Sequence, residues 1–324
     1  MRAGTPEAGP AGSGDCGDGE GDGPAVEDRR SLRPGGPHVV AIGGGHGLAQ
    51  TLRAARQYAG RITAIVSVAD DGGSSGRLRA DLGIPAPGDL RKCLGALLPE
   101  PASPLAAALE HRFEAGALAG HAFGNLLIAA LSSSTGGFAE ALAEAGRLLG
   151  AVGLVLPATA GPVDLKASGD FGEVDGQVQI MATTGVRHVS LVPPDPLPAP
   201  GAVEALLEAD QIVIGPGSLY TSVLAACCVP ALREAIAGTS AQRVYVANLR
   251  EQPPETAGYD VATHLAALGR HGVVVDIVLA DSHALPLGAV AGPARVVRGD
   301  MAGDGLVAHD VVRLGQELAR LLPG

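Results

Sequence analysis

The chain has 324 residues, a formal net charge of −11, 46% hydrophobic residues and 18% charged ones. That apolar share can build a large core and excludes a chain disordered throughout. The acidic balance argues against nucleic acid as a partner, because binding a phosphate backbone needs clustered Lys and Arg.

Residues 1–37 contain ten Gly and five Pro and almost nothing that could be buried. They are expected to form a disordered Gly/Pro-rich tail, with one domain over 38–324. Order is expected to begin at His38. Val39–Ile42 reads as a short buried strand, Leu48–Tyr58 as a helix and Ile62–Val68 as a second buried strand. Further helices are expected from Asp89 to Leu98, Pro104 to Glu114, Asn125 to Leu131 and Ala139 to Leu149. Over about 153–182 the pattern changes to short alternating runs, with Asp175-Gly176 as a hairpin turn signal between Leu165–Phe171 and Gln177–Ile180. The α/β rhythm then returns, with helix Val203–Glu208, strand Gln211–Ile214 and a helix from Leu219. Strand Arg243–Asn248, helix Val261–Arg270, strand Val273–Leu279 and helix Val311–Leu321 complete the series. The fold class expected is α/β, a Rossmann-like doubly wound, mostly parallel sheet with a small β-rich insertion.

The cysteines, Cys16, Cys93, Cys227 and Cys228, have neither disulfide-framework nor zinc-finger spacing. They read as thiols of a reducing compartment. No apolar run approaches ~18 residues, so no membrane span is expected, and the acidic, Gly-rich start lacks the apolar stretch of a signal peptide.

Two glycine turns could carry chemistry. Gly43, Gly44, Gly45, His46 and Gly47 link the first strand to the first helix, where free amides and the helix dipole favour a phosphate. The dinucleotide pattern G-x-G-x-x-G is incomplete, since Leu48 stands at its last position. Gly215, Gly217, Ser218, Tyr220 and Thr221 follow another buried strand in the same way. Two such turns in one sheet suit a two-ended nucleotide ligand at the switch point. Asp70 or Asp71 could accept from ribose hydroxyls or help hold Mg²⁺, with Ser74, Ser75 and Arg77 beside them in a polyphosphate loop. Asn125 could orient the ligand or simply cap a helix. Asp89, Arg91, His121 and Tyr259 are secondary candidates. A P-loop, a G-x-S-x-G serine and an H-E-x-x-H zinc motif are all missing, and no catalytic residue is assigned.

Six strings occur in order: VVAIGGGHGL, ITAIVSVADDGGSSGRLR, PGDLR, GHAFGNLL, ADQIVIGPGSLYTSV and QPPETAGY. Together they closely resemble the YvcK family of gluconeogenesis factors, within the superfamily of 2-phospho-L-lactate transferase (CofD). The resemblance implies a cytoplasmic protein needed for cell shape and cell-wall precursor balance during gluconeogenic growth. It implies a regulator that binds a UDP-sugar, with UDP-N-acetylglucosamine (UDP-GlcNAc) the favoured one; an NAD-like dinucleotide stays open as the alternative ligand, and no cofactor is expected to be required. An enzyme of the glucosamine-6-phosphate synthase type is the implied partner, and a homo-oligomer the expected assembly. The enzyme branch of the superfamily implies the alternative, a metal-dependent phospholactyl-type transferase acting on a nucleoside-diphosphate-linked donor, with Mg²⁺ at Asp70 or Asp71. The chain departs from the family pattern at Lys92, where Asn is common, and at Ala308, where the pattern carries Arg.

Overall fold

The computed structural model describes residues 32–100 and 102–323. In chain order the elements are β1 (His38–Gly43), α1 (Gly45–Ala55), β2 (Arg61–Val66), α2 (Gly73–Leu82), α3 (Gly88–Ala96), α4 (Pro104–Glu110), α5 (Phe123–Ser134) and α6 (Phe138–Leu149). There follow β3 (Leu154–Pro157), β4 (Asp164–Gly169), β5 (Gly172–Asp175), α7 (Gln177–Met181), β6 (Val186–Val192), α8 (Ala202–Leu207) and β7 (Gln211–Ile214). A π-helical turn, Leu219–Leu224, leads into α9 (Ala225–Cys227), α10 (Pro230–Gly238), β8 (Gln242–Val246), α11 (Val261–Arg270), β9 (Ile277–Asp281), β10 (Arg295–Gly299) and α12 (Val311–Leu321).

Seven strands form a parallel sheet in the order β10-β9-β8-β7-β1-β2-β3. The chain builds outward from β1 through β2 to β3. It then returns to the other side of β1 and builds outward again from β7. This reversal sets the switch point between β1 and β7, where the C-terminal strand ends open a crevice. Every residue of β1 and β7 is buried, which explains why these strands read as unbroken apolar runs.

Helix α1 packs against α3 and α12. Gly315 of α12 lets the backbones approach, since a Cβ there would lie 2.8 Å from the Ala54 carbonyl oxygen. The core is aliphatic, as the composition requires, and Cys93, Cys227 and Cys228 are free thiols buried in it; Cys16 lies outside the described residues.

The β-rich insertion lies later in the chain than expected. β3 belongs to the main sheet, and the separate antiparallel sheet, β5-β4-β6, covers 164–192. Its β4–β5 hairpin turns at Asp170-Phe171, before Gly172 (φ +94°). Asp175-Gly176 leads instead into α7, because Asp71 Oδ1 accepts the Val178 amide at 3.0 Å and fastens that short helix to the main sheet. The GGSSGRLR stretch is helix α2, not a loop. Strands β6 and β10 have no counterpart in the sequence reading. α4 stops at Glu110 because the chain turns extended there and Arg112 bridges Ala122.

Order within the described residues starts before His38. The Arg33 amide donates to Ala59 O at 2.8 Å and the Gly60 amide to Pro37 O at 2.9 Å, so 32–37 pack under the α1–β2 turn. The rest of the expected tail, 1–31, lies outside the described residues.

Candidate functional site

The two glycine bends meet at the switch point. A Cβ on Gly47 would lie 2.2 Å from Pro216 O, and one on Gly217 would lie 3.4 Å from Gly44 O. Thr51 Oγ1 of α1 donates to Gly215 O at 2.8 Å, tying the first helix to the second bend.

Their amides differ in availability. At the first bend, Leu48 N bonds back to Gly44 O, while Gly45, His46 and Gly47 N–H have no acceptor among the described residues. These are the unpaired donors of a helix N-terminus. At the second bend the amides are largely taken. Gly215 N donates to Ile42 O at 3.0 Å and Gly217 N to Asn248 Oδ1 at 3.0 Å. The Tyr220 and Thr221 amides both donate to Glu255 Oε1, at 3.1 and 3.0 Å. A buried carboxylate of this chain thus stands where an anion was expected. Burial raises the pKa of Glu255 while the Thr221 and Tyr220 amides oppose the rise. Tyr220 is fully buried, its hydroxyl 2.9 Å from that of Tyr259. Both tyrosines therefore brace the floor between the second bend and β6, where Tyr259 donates to Val186 O.

Asp89 does not cap α3, whose N-cap is Pro87. It reaches instead toward the first bend, where a Cβ on Gly44 would lie 2.7 Å from Asp89 Oδ2. Its other oxygen pairs with Lys92 Nζ at 2.9 Å. Burial lowers the pKa of His46, with Lys92 adding to the effect, so the imidazole beside these amides is neutral at pH 7.

On the β2 side the predicted residues form a second cluster. Asp70 Oδ1 accepts the Gly72 amide at 2.9 Å, and burial raises its pKa, with Asp89 nearby adding to the rise. Asp71 faces away toward α7. Ser75 packs against Gly88 beside Asp70. Ser74 Oγ lies 3.1 Å from His121 Nδ1 and accepts from Asn125 Nδ2 at 3.1 Å. Asn125 is inside α5 rather than its cap, and its buried Oδ1 has no partner among the described residues. Arg77 donates to Ala119 O at 2.9 Å. Arg91 is buried and paired with Glu110 at 3.1 Å, so its charge is spent on α4.

A cleft of about 680 Å³ opens on the other side of the first bend. His46, Gly47 and Gln50 of α1 form one wall, with Pro216 and Gly217 below. The segment Asn248–Pro253 after β8 and residues Val307, Ala308 and His309 before α12 complete it. Of the predicted residues only His46, Gly47 and Gly217 line this cleft. The signal for the others was present: QPPETAGY follows β8, and the strand-end rule places ligand contacts on the loops after β7 and β8. Arg250 is exposed and has no partner among the described residues. His309 is buried, with Nε2 unpartnered among the described residues, and burial pushes its pKa down to about 4.

No single helix among the described residues is long and apolar enough to cross a membrane. A family model described as 2-phospho-L-lactate transferase CofD matches residues 39–320. The gluconeogenesis factor of Halalkalibacterium halodurans is 46% identical over 249 residues, 75% of this chain and 77% of its own. That of Bacillus subtilis is 42% identical over 256 residues, 77% of this chain and 80% of its own. A crystal structure of a UPF0052-family protein from Bacillus halodurans superposes with TM-score 0.81 at 37% identity, covering 89% of this chain and 99% of the other. The chain therefore belongs to the CofD family, in its gluconeogenesis-factor (YvcK) branch.

Proposed function

We propose that this chain is a nucleotide-sugar-binding regulator whose ligand, a UDP-sugar such as UDP-GlcNAc, lies in the switch-point cleft. The observation that carries the reading is the cleft of about 680 Å³ lined by His46 and Gly47 of the first bend and by Arg250. Its first-bend amides, Gly45, His46 and Gly47, lack acceptors among the described residues, and Arg250 lacks a partner there. Amides at a helix N-terminus and one arginine suit a diphosphate. Space of this size suits a nucleoside with its sugar. The phosphates rest mainly on the first bend, because Asn248 and Glu255 hold the Gly217, Tyr220 and Thr221 amides of the second bend and leave only those of Ser218 and Leu219 without an acceptor among the described residues. Bound ligand then acts in the cytoplasm on cell-wall precursor balance and cell shape during gluconeogenic growth, by favouring one complex, for which a glucosamine-6-phosphate synthase-type enzyme is the partner of choice.

The competing transferase reading rests on the β2-side cluster. No three His, Cys, Asp or Glu side chains converge on a possible metal position among the described residues. Asp71 is committed to α7. A Mg²⁺ there would lean on Asp70 and the neighbouring Asp89, with water and ligand phosphate as its other oxygens.

Thermal shift separates the two readings, since a ligand of the native state raises the unfolding midpoint by mass action. UDP-GlcNAc without metal is expected to raise it, and Arg250→Ala to remove most of that rise. The same substitution should leave the free protein's stability within ~0.5 kcal/mol, because the side chain is exposed and unpaired among the described residues. A shift with GDP plus Mg²⁺ only, followed by transfer to a deazaflavin acceptor, would replace the regulator with the transferase.

A further inference from the structure

Asn248 follows β8 into the cleft wall and is buried. Its Oδ1 accepts the Gly217 amide at 3.0 Å, and its Nδ2 donates to Gly217 O at 2.9 Å. A backbone N–H only donates and a carbonyl only accepts, so these two bonds fix which end of the Asn248 amide is oxygen. Nδ2 also reaches Gln252 Oε1 at 3.3 Å. Because Nδ2 has only N–H to give, the Gln252 atom facing it is the oxygen. The polarity of one peptide in the second bend thus passes through Asn248 and leaves Gln252 Nε2 directed away from that pair.

Main-chain bonds hold Gln252 in place as well. Its N–H donates to Thr256 Oγ1 at 2.8 Å and its carbonyl accepts the Thr256 amide at 3.0 Å, with Thr256 fully buried. Glu255 ties the same segment to the second bend. Gln252 itself is half-buried and lines the cleft, so Nε2 is not sealed from solvent. That nitrogen has no acceptor among the described residues. The other side-chain amides of the cleft differ: Asn248 uses both its ends, and Gln50 gives Nε2 to His309 O. Gln252 is therefore a donor whose aim is set before any ligand arrives, which lowers the cost of ordering the side chain on binding.

We propose that Gln252 Nε2 donates to a carbonyl oxygen on the uncharged part of the ligand, which makes Gln252 a specificity-determining residue of the cleft. The proposal rests on the nucleotide-sugar reading above and adds the group that is selected. The diphosphate has the first-bend amides and Arg250 for partners. Glu251, next to Gln252 in the chain and on the same wall, brings a carboxylate whose Oε2 accepts the Gly258 amide. A neutral N–H beside a carboxylate suits an uncharged oxygen and disfavours a phosphate. A ligand of the UDP-GlcNAc type offers such oxygens on the uracil ring and on the acetamido group.

The test is titration calorimetry of the full chain with UDP-GlcNAc and three analogues that each blunt one carbonyl. UDP-glucose lacks the acetamido group, and the 2-thio and 4-thio forms of UDP-GlcNAc carry sulfur, a weak acceptor, on the uracil. Wild type is compared with Gln252→Leu, which removes the donor, and Gln252→Glu, which keeps the oxygen facing Asn248 and puts a second oxygen in place of Nε2. Both variants are expected to weaken UDP-GlcNAc by about fivefold or more. Ligand-free Gln252→Glu should unfold within a few degrees of the wild type, since the Asn248 bond survives. In the wild type one analogue should bind more weakly than UDP-GlcNAc, and in Gln252→Leu that analogue and UDP-GlcNAc should bind alike, which identifies the carbonyl. Wild-type-like binding of UDP-GlcNAc by either variant overturns the proposal and leaves the nucleotide-sugar reading standing. So does an equal loss for all four ligands, which would put the contact on phosphate or ribose. If none of the four binds the wild type, the nucleotide-sugar reading falls and takes the proposal with it.

Discussion

Gly45 and Gly47 stand two residues apart and are glycine for different reasons. Gly47 has no room: a Cβ would lie 2.2 Å from Pro216 O, a backbone atom that cannot swing aside. Gly45 has room, its nearest neighbour to a Cβ being Asp89 Oδ2 at 3.9 Å, but its φ of +67° is left-handed. Gly47→Ala is therefore expected to push the two bends apart and destabilise the protein by ~2 kcal/mol or more. Gly45→Ala should cost only ~1 kcal/mol. Urea unfolding of both variants checks the order, and equal losses would contradict it. Glu255 is a further residue whose role its type alone would not disclose. Its Oε1 takes two buried amides, so Glu255→Ala should cost ~2–4 kcal/mol while Glu255→Gln, which keeps a carbonyl oxygen, loses less. The sequence marked the bend before Tyr220 as an anion site; the anion proves to be this chain's own carboxylate, thirty-odd residues away and visible only in three dimensions.

At the scale of elements, strong periodicity was legible. Strand Gln211–Ile214 and helices Val261–Arg270 and Val311–Leu321 lie at the bounds read from the sequence. The last two also carry Asp260 and Asp310 as N-caps, each accepting an amide three residues on. α2 was missed because its glycines and serines lower local helix propensity. The fold requires one of them for packing, since a Cβ on Gly76 would lie 2.0 Å from Asp71 O. The insertion was misplaced because Asp175-Gly176 carries a turn signal that either a hairpin or a helix start can use. Asp71 settles the choice from across the chain. Asp71→Ala should thus speed hydrogen exchange of the α7 amides while global stability moves by no more than ~1 kcal/mol. Unchanged exchange would mean that β4 and β5 hold α7 without that bond.

For the whole molecule, buried histidines set the response to acid. Burial pushes His264, His271 and His309 down to about 4. His271 is held neutral on both sides, with Nδ1 against Ala267 O at 2.7 Å and Nε2 accepting the Val189 amide at 3.0 Å. These rings stay neutral in the folded chain while the unfolded chain protonates near pH 6.5. Their contribution is therefore complete above that pH and falls by ~1.4 kcal/mol per histidine per pH unit between about 6.5 and 4. Asp70 and Glu255, raised by burial, act with the opposite sign nearer the carboxylate range. Urea midpoints are expected to drop between pH 7 and 5.5, and a flat profile would contradict the burial of these rings.

The sequence by itself determined the parallel α/β architecture, the aliphatic core, the two glycine bends and the family, because each rests on local pattern: apolar runs, strand–turn–helix order and long strings of matched residues. Tertiary structure alone decided which bend keeps free amides and which side of it holds the cleft. It also turned Asp71 and Arg91 away from that cleft and brought Arg250 and His309 to its lining. Whether a donor is free depends on what every distant residue has already taken, and that inventory closes only when the chain has folded.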